Sequence, residues 1–225
     1  MKVCSLFSGG KDSTYSLHRA SQQHQLTDVV TVDPEEGSYM YHTPAIDLAA
    51  LAVESLETDV NLHRVDIDKK PEKNVDDRDE ITPLKRKLAE LEVDAVVTGA
   101  VESSYQKSRV DSMASELKLE SLAPLWHTDV EEALRDISRR FEVMVTAVAA
   151  GGLDESWLGR TIDSVAVDGL LELSDSYGVH PMGEGGEYET LVVDGPHMES
   201  RIDLEYEKRW DGVRGELKIL DAELE

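Results

Sequence analysis

Two stretches of the chain concentrate side chains able to do chemistry. The first is Ser8-Gly9-Gly10-Lys11-Asp12-Ser13, which gathers two hydroxyls, two glycines, a cation and a carboxylate. Gly9 and Gly10 allow the backbone positive φ and a close approach to an anion. A helix starting here turns its free N–H groups and its dipole toward a polyphosphate, and Lys11 adds a point charge. A helix cap at Asp12 or Ser13 uses some of the same letters, yet a cap needs neither paired glycines nor an adjacent lysine. The second stretch, "GEGGEYET" (Gly183–Thr190), sets Glu184, Glu187 and Glu189 among glycines. Carboxylates in such a segment suit a pocket wall or general-base work. A turn into a strand with solvated glutamates reads the same way.

The elements around these stretches follow from apolar spacing. Strands are expected at Val3–Phe7, Asp28–Val32, Asn61–Ile67, Ala95–Thr98, Glu120–Ala123 and Glu142–Val148, with helical periods between them. Pro83 after Thr82 fits the first turn of a helix capped by that threonine. Strand–helix alternation predicts an α/β fold: a Rossmann-like parallel sheet with helices on both faces. After Ala150 the pattern changes to a helix at Ile162–Ser176, a glycine-rich run and two alternating strands. The expected division is residues 1–150 as the domain that carries the phosphate-facing loop and 151–225 as a smaller α+β lobe against the carboxyl ends of its sheet. The loop Ser8–Ser13 then leaves the first strand at the sheet's ligand-binding edge. "TGAVESSYQKSRVD" (Thr98–Asp111) leaves the fourth strand there and brings Gly99, Tyr105, Gln106 and Arg109. "GSYMYHT" (Gly37–Thr43) follows the second strand and brings His42.

The 225 residues carry 23 Lys and Arg against 47 Asp and Glu, a formal charge of −24. A surface this acidic disfavours nucleic acid, whose phosphates need clustered cations, and anionic membranes. Its self-repulsion is relieved by salt, so a salt-rich cytoplasm of halophile type is expected. Cys4 is the only cysteine, which excludes a disulfide framework and a paired-thiolate zinc site. No basic-plus-apolar leader and no run of roughly 20 apolar residues is visible, so a cytoplasmic location is expected. The histidines show no metal-ligand spacing.

"SGGKDS" after a first strand resembles the pyrophosphate (PP) loop of the N-type ATP pyrophosphatases, with their adenine nucleotide alpha hydrolase-like fold. The chain lacks the longer phosphate loop G-x-x-x-x-G-K-[ST] and the dinucleotide G-x-G-x-x-G. Taken with "GSYMYHT", "TGAVESSYQKSRVD", "PLW" (Pro124–Trp126), "GLDESWLGRTID" (Gly152–Asp163) and "GEGGEYET", the chain resembles the diphthine–ammonia ligase family from about Lys2 to Pro196. The short length resembles archaeal members. The resemblance implies an ATP-dependent ligase: ATP adenylates the diphthine carboxylate on translation elongation factor 2, and ammonia then forms diphthamide, releasing AMP and pyrophosphate. It implies ATP contacts from Ser8, Gly9, Gly10, Lys11, Asp12, Ser13, His42, Gly99, Tyr105 and Arg109. Substrate contacts are implied for Tyr105, Gln106, Glu184, Gly185, Gly186, Glu187, Glu189 and Thr190. Lys11, Asp12 and Glu187 are the expected catalytic groups, and Asp12 the expected magnesium ligand. The glutamates could hold the trimethylammonium of diphthine or an incoming ammonium. Trp126 and Trp157 read as packing residues, and Arg160 as a phosphate ligand or the partner of an Asp. Two other readings stay open: another PP-loop ATP pyrophosphatase acting on tRNA or a small molecule, and a non-catalytic ATP-binding regulatory module.

Overall fold

A computed structural model of the chain describes residues 1–34, 45–67 and 81–225. Its elements run β1 (Lys2–Leu6), α1 (Lys11–Ser21), β2 (Gln25–Pro34), α2 (Ala45–Glu54), β3 (Asn61–Ile67), α3 (Thr82–Glu90), β4 (Ala95–Val97), α4 (Ser104–Leu117) and β5 (Glu120–Leu122). These are followed by α5 (Val130–Arg140), β6 (Glu142–Val148), α6 (Ser164–Tyr177), β7 (Tyr188–Asp194), β8 (Ile202–Trp210) and β9 (Gly215–Leu224).

The first five strands form a parallel sheet in the order β3-β2-β1-β4-β5. Alternation along each strand splits the core in two. Val3, Val29 and Val97 face one cluster, with Leu17 of α1, Leu48 of α2 and Leu134 of α5. Cys4, Val30 and Val96 face the other, under Leu84 and Leu88 of α3 and Met113 of α4. The α/β class with helices on both faces is therefore as the sequence predicts. The order also places a topological switch point between β1 and β4, where connections leave in opposite directions and open a crevice beyond the strand ends. The Ser8–Ser13 loop and the residues after β4 both lead into that crevice.

The second sheet is antiparallel, in the order β7-β6-β9-β8. Here the structure corrects one expectation. Glu142–Val148 does not continue the parallel series; as β6 it pairs with β7 and β9 inside the second sheet. Its buried run Val143–Val148 suits an interior strand of either sheet, so burial could not tell the two apart. Val143, Val145, Leu191 and Val193 join the cluster that covers the α1 and α2 face of the first sheet, so one core runs through both sheets.

Local chemistry fixes the helix ends. Asp129 accepts from Glu132 N at 2.8 Å and Asp163 from Ala166 N at 2.8 Å, caps worth about 1 kcal/mol each. Glu131 and Glu132 in the first turn of α5 and Arg139 and Arg140 in its last complement its dipole. Gly178, at φ +71°, ends α6 in the left-handed region. Pro83 lies in the first turn of α3 as expected, but the cap position falls on Ile81, not Thr82, and has no side-chain bond. Among the described residues no helix is long and apolar enough to cross a membrane.

Candidate active site

The crevice holds a cavity of about 480 Å³. The first sheet contributes Phe7, Ser8, Asp12, Ser13, Val30, Val32 and Thr98–Ala100, and α4 contributes Gln106. The second lobe closes it with Gly183, Glu184, Gly186 and Glu189.

The loop after β1 is held by its own polar groups. Ser8 N donates to Ser13 Oγ at 3.2 Å, the two hydroxyls lie 3.1 Å apart, and Ser13 Oγ donates to Gly10 O at 3.1 Å. Gly9 sits at φ +80°, the left-handed region that favours glycine, with its carbonyl accepting from Val192 N at 2.9 Å. Gly10 caps α1 in an extended conformation. Gly99, after β4, is needed for a different reason. A Cβ there would lie 2.8 Å from Ser13 N and 2.9 Å from Asp12 C, so only glycine lets the two loops touch.

Lys11 departs from its expected place on the cavity wall. It is 3% exposed and points into the seam between the lobes. Its Nζ donates to Asp12 Oδ2 at 2.9 Å and to Met182 O at 2.6 Å, and lies 5.1 Å from the centre of the Tyr188 ring. Its backbone N–H donates to Thr190 Oγ1 at 3.1 Å. Burial works against the lysine's charge, but Asp12 and Tyr188 more than offset it, and its pKa rises above the usual lysine value. Burial pushes the Tyr188 phenol up to about 12 despite Lys11; its hydroxyl donates to Pro181 O at 2.5 Å. Burial likewise raises the Asp12 carboxyl against the pull of Lys11, and leaves Asp12 Oδ1 buried without a hydrogen-bond partner.

The three glutamates of Gly183–Thr190 separate by role. Glu184 Oε1 accepts from Val101 N at 3.3 Å and Oε2 from Ser103 N at 3.0 Å, across the seam. Glu187, expected to be catalytic, instead turns back on its own loop: Oε1 accepts from His180 N at 3.1 Å and Oε2 from Gly185 N at 2.8 Å. Glu189, half-buried on β7, lines the wall and, unlike the other two, is not clasped by a backbone amide among the described residues. Burial, then Asp12, raises its carboxyl, while Lys11 opposes. Gly185 is exposed and outside the cavity wall, whereas Gly186 forms part of it.

Of the α4 residues, Gln106 reaches the cavity. Tyr105 is 57% exposed, its hydroxyl accepting from the Arg109 guanidinium stacked on its ring at 5.0 Å, and neither lines the wall. His42 lies outside the described residues. Arg160 packs over the Trp157 ring at 4.5 Å, and Trp157 is buried. Cys4 is fully buried, with its thiol pushed up to about 12 by burial and then by Asp28, as an inert core residue should be. The residues that sequence reasoning missed are Met182, through its carbonyl, Tyr188 and His180. Tyr188 alternates with Glu187 and Glu189 in the sequence, but nothing local links it to Lys11.

Among the described residues the wall carries three carboxylates, Asp12, Glu184 and Glu189, and no Lys or Arg. A polyphosphate entering it meets helix dipole and hydroxyls on one side and negative charge on the other. No three described His, Cys, Asp or Glu side chains are grouped to hold a metal. The donor set therefore fits a magnesium ion held by one carboxylate, the unpartnered Asp12 Oδ1, together with phosphate oxygens, and not an all-protein cage.

A family model described as the diphthamide synthase N-terminal domain matches residues 1–121, and one described as the diphthamide synthase C-terminal domain matches residues 129–224. The chain is similar to the diphthine–ammonia ligase of Rattus norvegicus, 37% identical over 227 residues that cover 90% of this chain and 82% of that protein. The Homo sapiens diphthine–ammonia ligase gives the same identity and coverage. That of Schizosaccharomyces pombe is 35% identical over 219 residues covering 91% of this chain, which spans 36% of the larger protein.

Proposed function

The chain belongs to the diphthine–ammonia ligase family, and on that premise we infer that the switch-point cavity is where ATP activates a diphthine carboxylate for attack by ammonia. The enzyme is an ATP-dependent, amide-forming ligase. A carboxylate oxygen attacks the α-phosphorus, the bond to the β-phosphate bridge breaks, and pyrophosphate leaves. Ammonia then attacks the carbonyl carbon of the acyl adenylate, AMP leaves, and a proton is released.

The observation that carries this reading is the contact of the Ser8–Ser13 loop, the Gly99 loop and the Glu189 strand around one cavity. We assign the phosphates to the N-terminus of α1 beside Ser8 and Ser13, where amides and dipole favour the departing pyrophosphate. Lys11 acts from behind: its charge compensates Asp12 and fixes the carboxylate's direction. A bound magnesium would neutralise phosphate charge, with Asp12 Oδ1 as its protein ligand. Glu189 is placed to hold the cationic partner, either the quaternary ammonium of diphthine or the incoming ammonium. The protein substrate is elongation factor 2 bearing diphthine, encountered in the cytoplasm, and the acidic surface points to a halophilic archaeal setting.

Incubation with ATP, magnesium, ammonium and diphthine-bearing elongation factor 2 tests the reading. AMP and the amide are expected together, and only when that protein is present. AMP formed with tRNA or a small acid instead would overturn the substrate, and ATP bound without AMP under any nitrogen source would mean a sensor.

A further inference from the structure

Three consecutive residues between β4 and α4 are gripped by the second lobe. Val101 N and Ser103 N both donate to the Glu184 carboxylate, at 3.3 and 3.0 Å. Between them, Glu102 Oε2 lies 3.1 Å from His180 Nε2. Met182 N donates to His180 Nδ1 at 3.1 Å, which puts the ring proton on Nε2, donating to Glu102. His180 is in turn held by Glu187 through its own backbone N–H. On the far side, His127 N donates to Val101 O at 3.1 Å.

This grip bears on the cavity directly. The residues just before it, Thr98, Gly99 and Ala100, line the wall, and Gln106 follows one turn into α4. Ser103 is also the cap of α4, its hydroxyl accepting from Gln106 N at 3.4 Å. Gly99 abuts the backbone of Asp12 and Ser13, so a shift of this loop is transmitted to the phosphate-facing one. Each Glu184 oxygen accepts one backbone amide, so the carboxylate's position is set by the loop across the seam.

We propose that Glu184 is a positioning residue: from the second lobe, its carboxylate fixes the Val101–Ser103 backbone and so sets the Gly99–Gln106 side of the nucleotide cavity. It shapes the site without being the ligand of the diphthine cation. Two amides on one carboxylate are charge-assisted bonds, the stronger class. The proposal rests on the function inferred above, and its test separates the two.

ATP titration with magnesium but no protein substrate is the first measurement, on the full chain and on Glu184→Ala and Glu184→Gln. Glu184→Ala is expected to weaken ATP binding on the order of tenfold or more. Glu184→Gln, which keeps one acceptor oxygen and turns an NH₂ toward an N–H, is expected to fall between. Amide exchange at Val101 and Ser103 should be protected in the parent chain and accelerate in both variants, ahead of the neighbouring core. Wild-type ATP affinity in Glu184→Ala with a raised KM for the protein substrate would overturn the proposal and make the carboxylate a substrate ligand. So would equal losses in the Ala and Gln variants. Should Glu184→Ala fail to fold, the Gln variant and the exchange of the parent amides decide, since unprotected amides at 101 and 103 would also overturn it. A parent chain that binds no ATP would instead remove the ligase reading.

Discussion

Lys11 Nζ donates to the carbonyl oxygen of Met182 at 2.6 Å, joining the first loop of the chain to the glycine-rich segment 171 residues later. The same ammonium pairs with Asp12, its neighbour in sequence, so one buried cation serves both lobes. A lysine used this way is a structural counter-charge before it is a phosphate ligand.

Replacing it should therefore cost more than ligand affinity. Lys11→Ala leaves the half-buried Asp12 carboxylate without its cation and the Met182 carbonyl without its donor. Breaking a fully buried pair destabilises by roughly 3–5 kcal/mol; solvent at the partly exposed Asp12 brings the expected cost to the lower end of that range. Denaturant unfolding should show a loss of that order, together with loss of pyrophosphate release; a variant as stable as the parent would show that the seam does not depend on the pair.

The carboxylate-lined wall predicts that ATP binding needs a divalent cation. With chelator present, calorimetry should show ATP affinity lower by at least about tenfold, or about 1.4 kcal/mol. Asp12→Asn should lose most of that magnesium dependence, because the variant no longer presents the anionic Oδ1. Binding of free ATP as tight as of its magnesium complex would contradict the assignment.

Stability should fall in acid through His197. Burial, and then His18, lowers its imidazole to about 4. The His18 and His197 ring centres are 5.4 Å apart, and both rings contact Phe141. His18 is lowered as well, by burial and then by Arg140 and Arg19, with Asp136 opposing. Above the ordinary histidine value of about 6.5 both states are neutral and His197 has no effect. As pH drops from there toward 4, the unfolded chain takes up a proton that the folded one refuses, so stability declines and the loss is complete near pH 4. Denaturant melts at pH 7.5 and pH 5 should differ by about 2 kcal/mol from this residue, and His197→Phe should flatten that limb.

The charge of −24 predicts a salt response of the opposite kind to that of an ordinary salt-bridged surface. Screening relieves repulsion here, so unfolding temperature should rise from dilute buffer to molar potassium chloride. An unchanged or lower value would remove the halophile assignment.

How far the fold could be read from the letters depended on whether local pattern carried the information. The parallel strands and their helices were legible because each strand end and helix period is a local property. The ends Leu6, Pro34, Val97 and Leu122 fall within two residues of those expected. β6 was not, because an apolar β-branched run states that it is buried but not beside which strand. In the site, the Ser8–Ser13 loop, Gly99 and Gln106 were legible, since turn chemistry and position after a parallel strand are both written in sequence. The glutamates were not. Glu184, Glu187 and Glu189 look alike in one dimension, and their roles are decided by which backbone amides lie within reach: Val101 and Ser103, His180 and Gly185, or none among the described residues. The placement of the Lys11 side chain was not legible for the same reason, because Met182 and Tyr188 come to it only through the tertiary fold.

The hydrogen bonds from Val192 N to Gly9 O and from Lys11 N to Thr190 Oγ1 have a mechanical consequence. They tie strand β7 to the turn proposed for the phosphates, so pulling the halves apart there would have to break two hydrogen bonds of that turn. On the proposed assignment, a protein-borne side chain would thread in past the rim of the cavity, and the spent nucleotide would leave the same way.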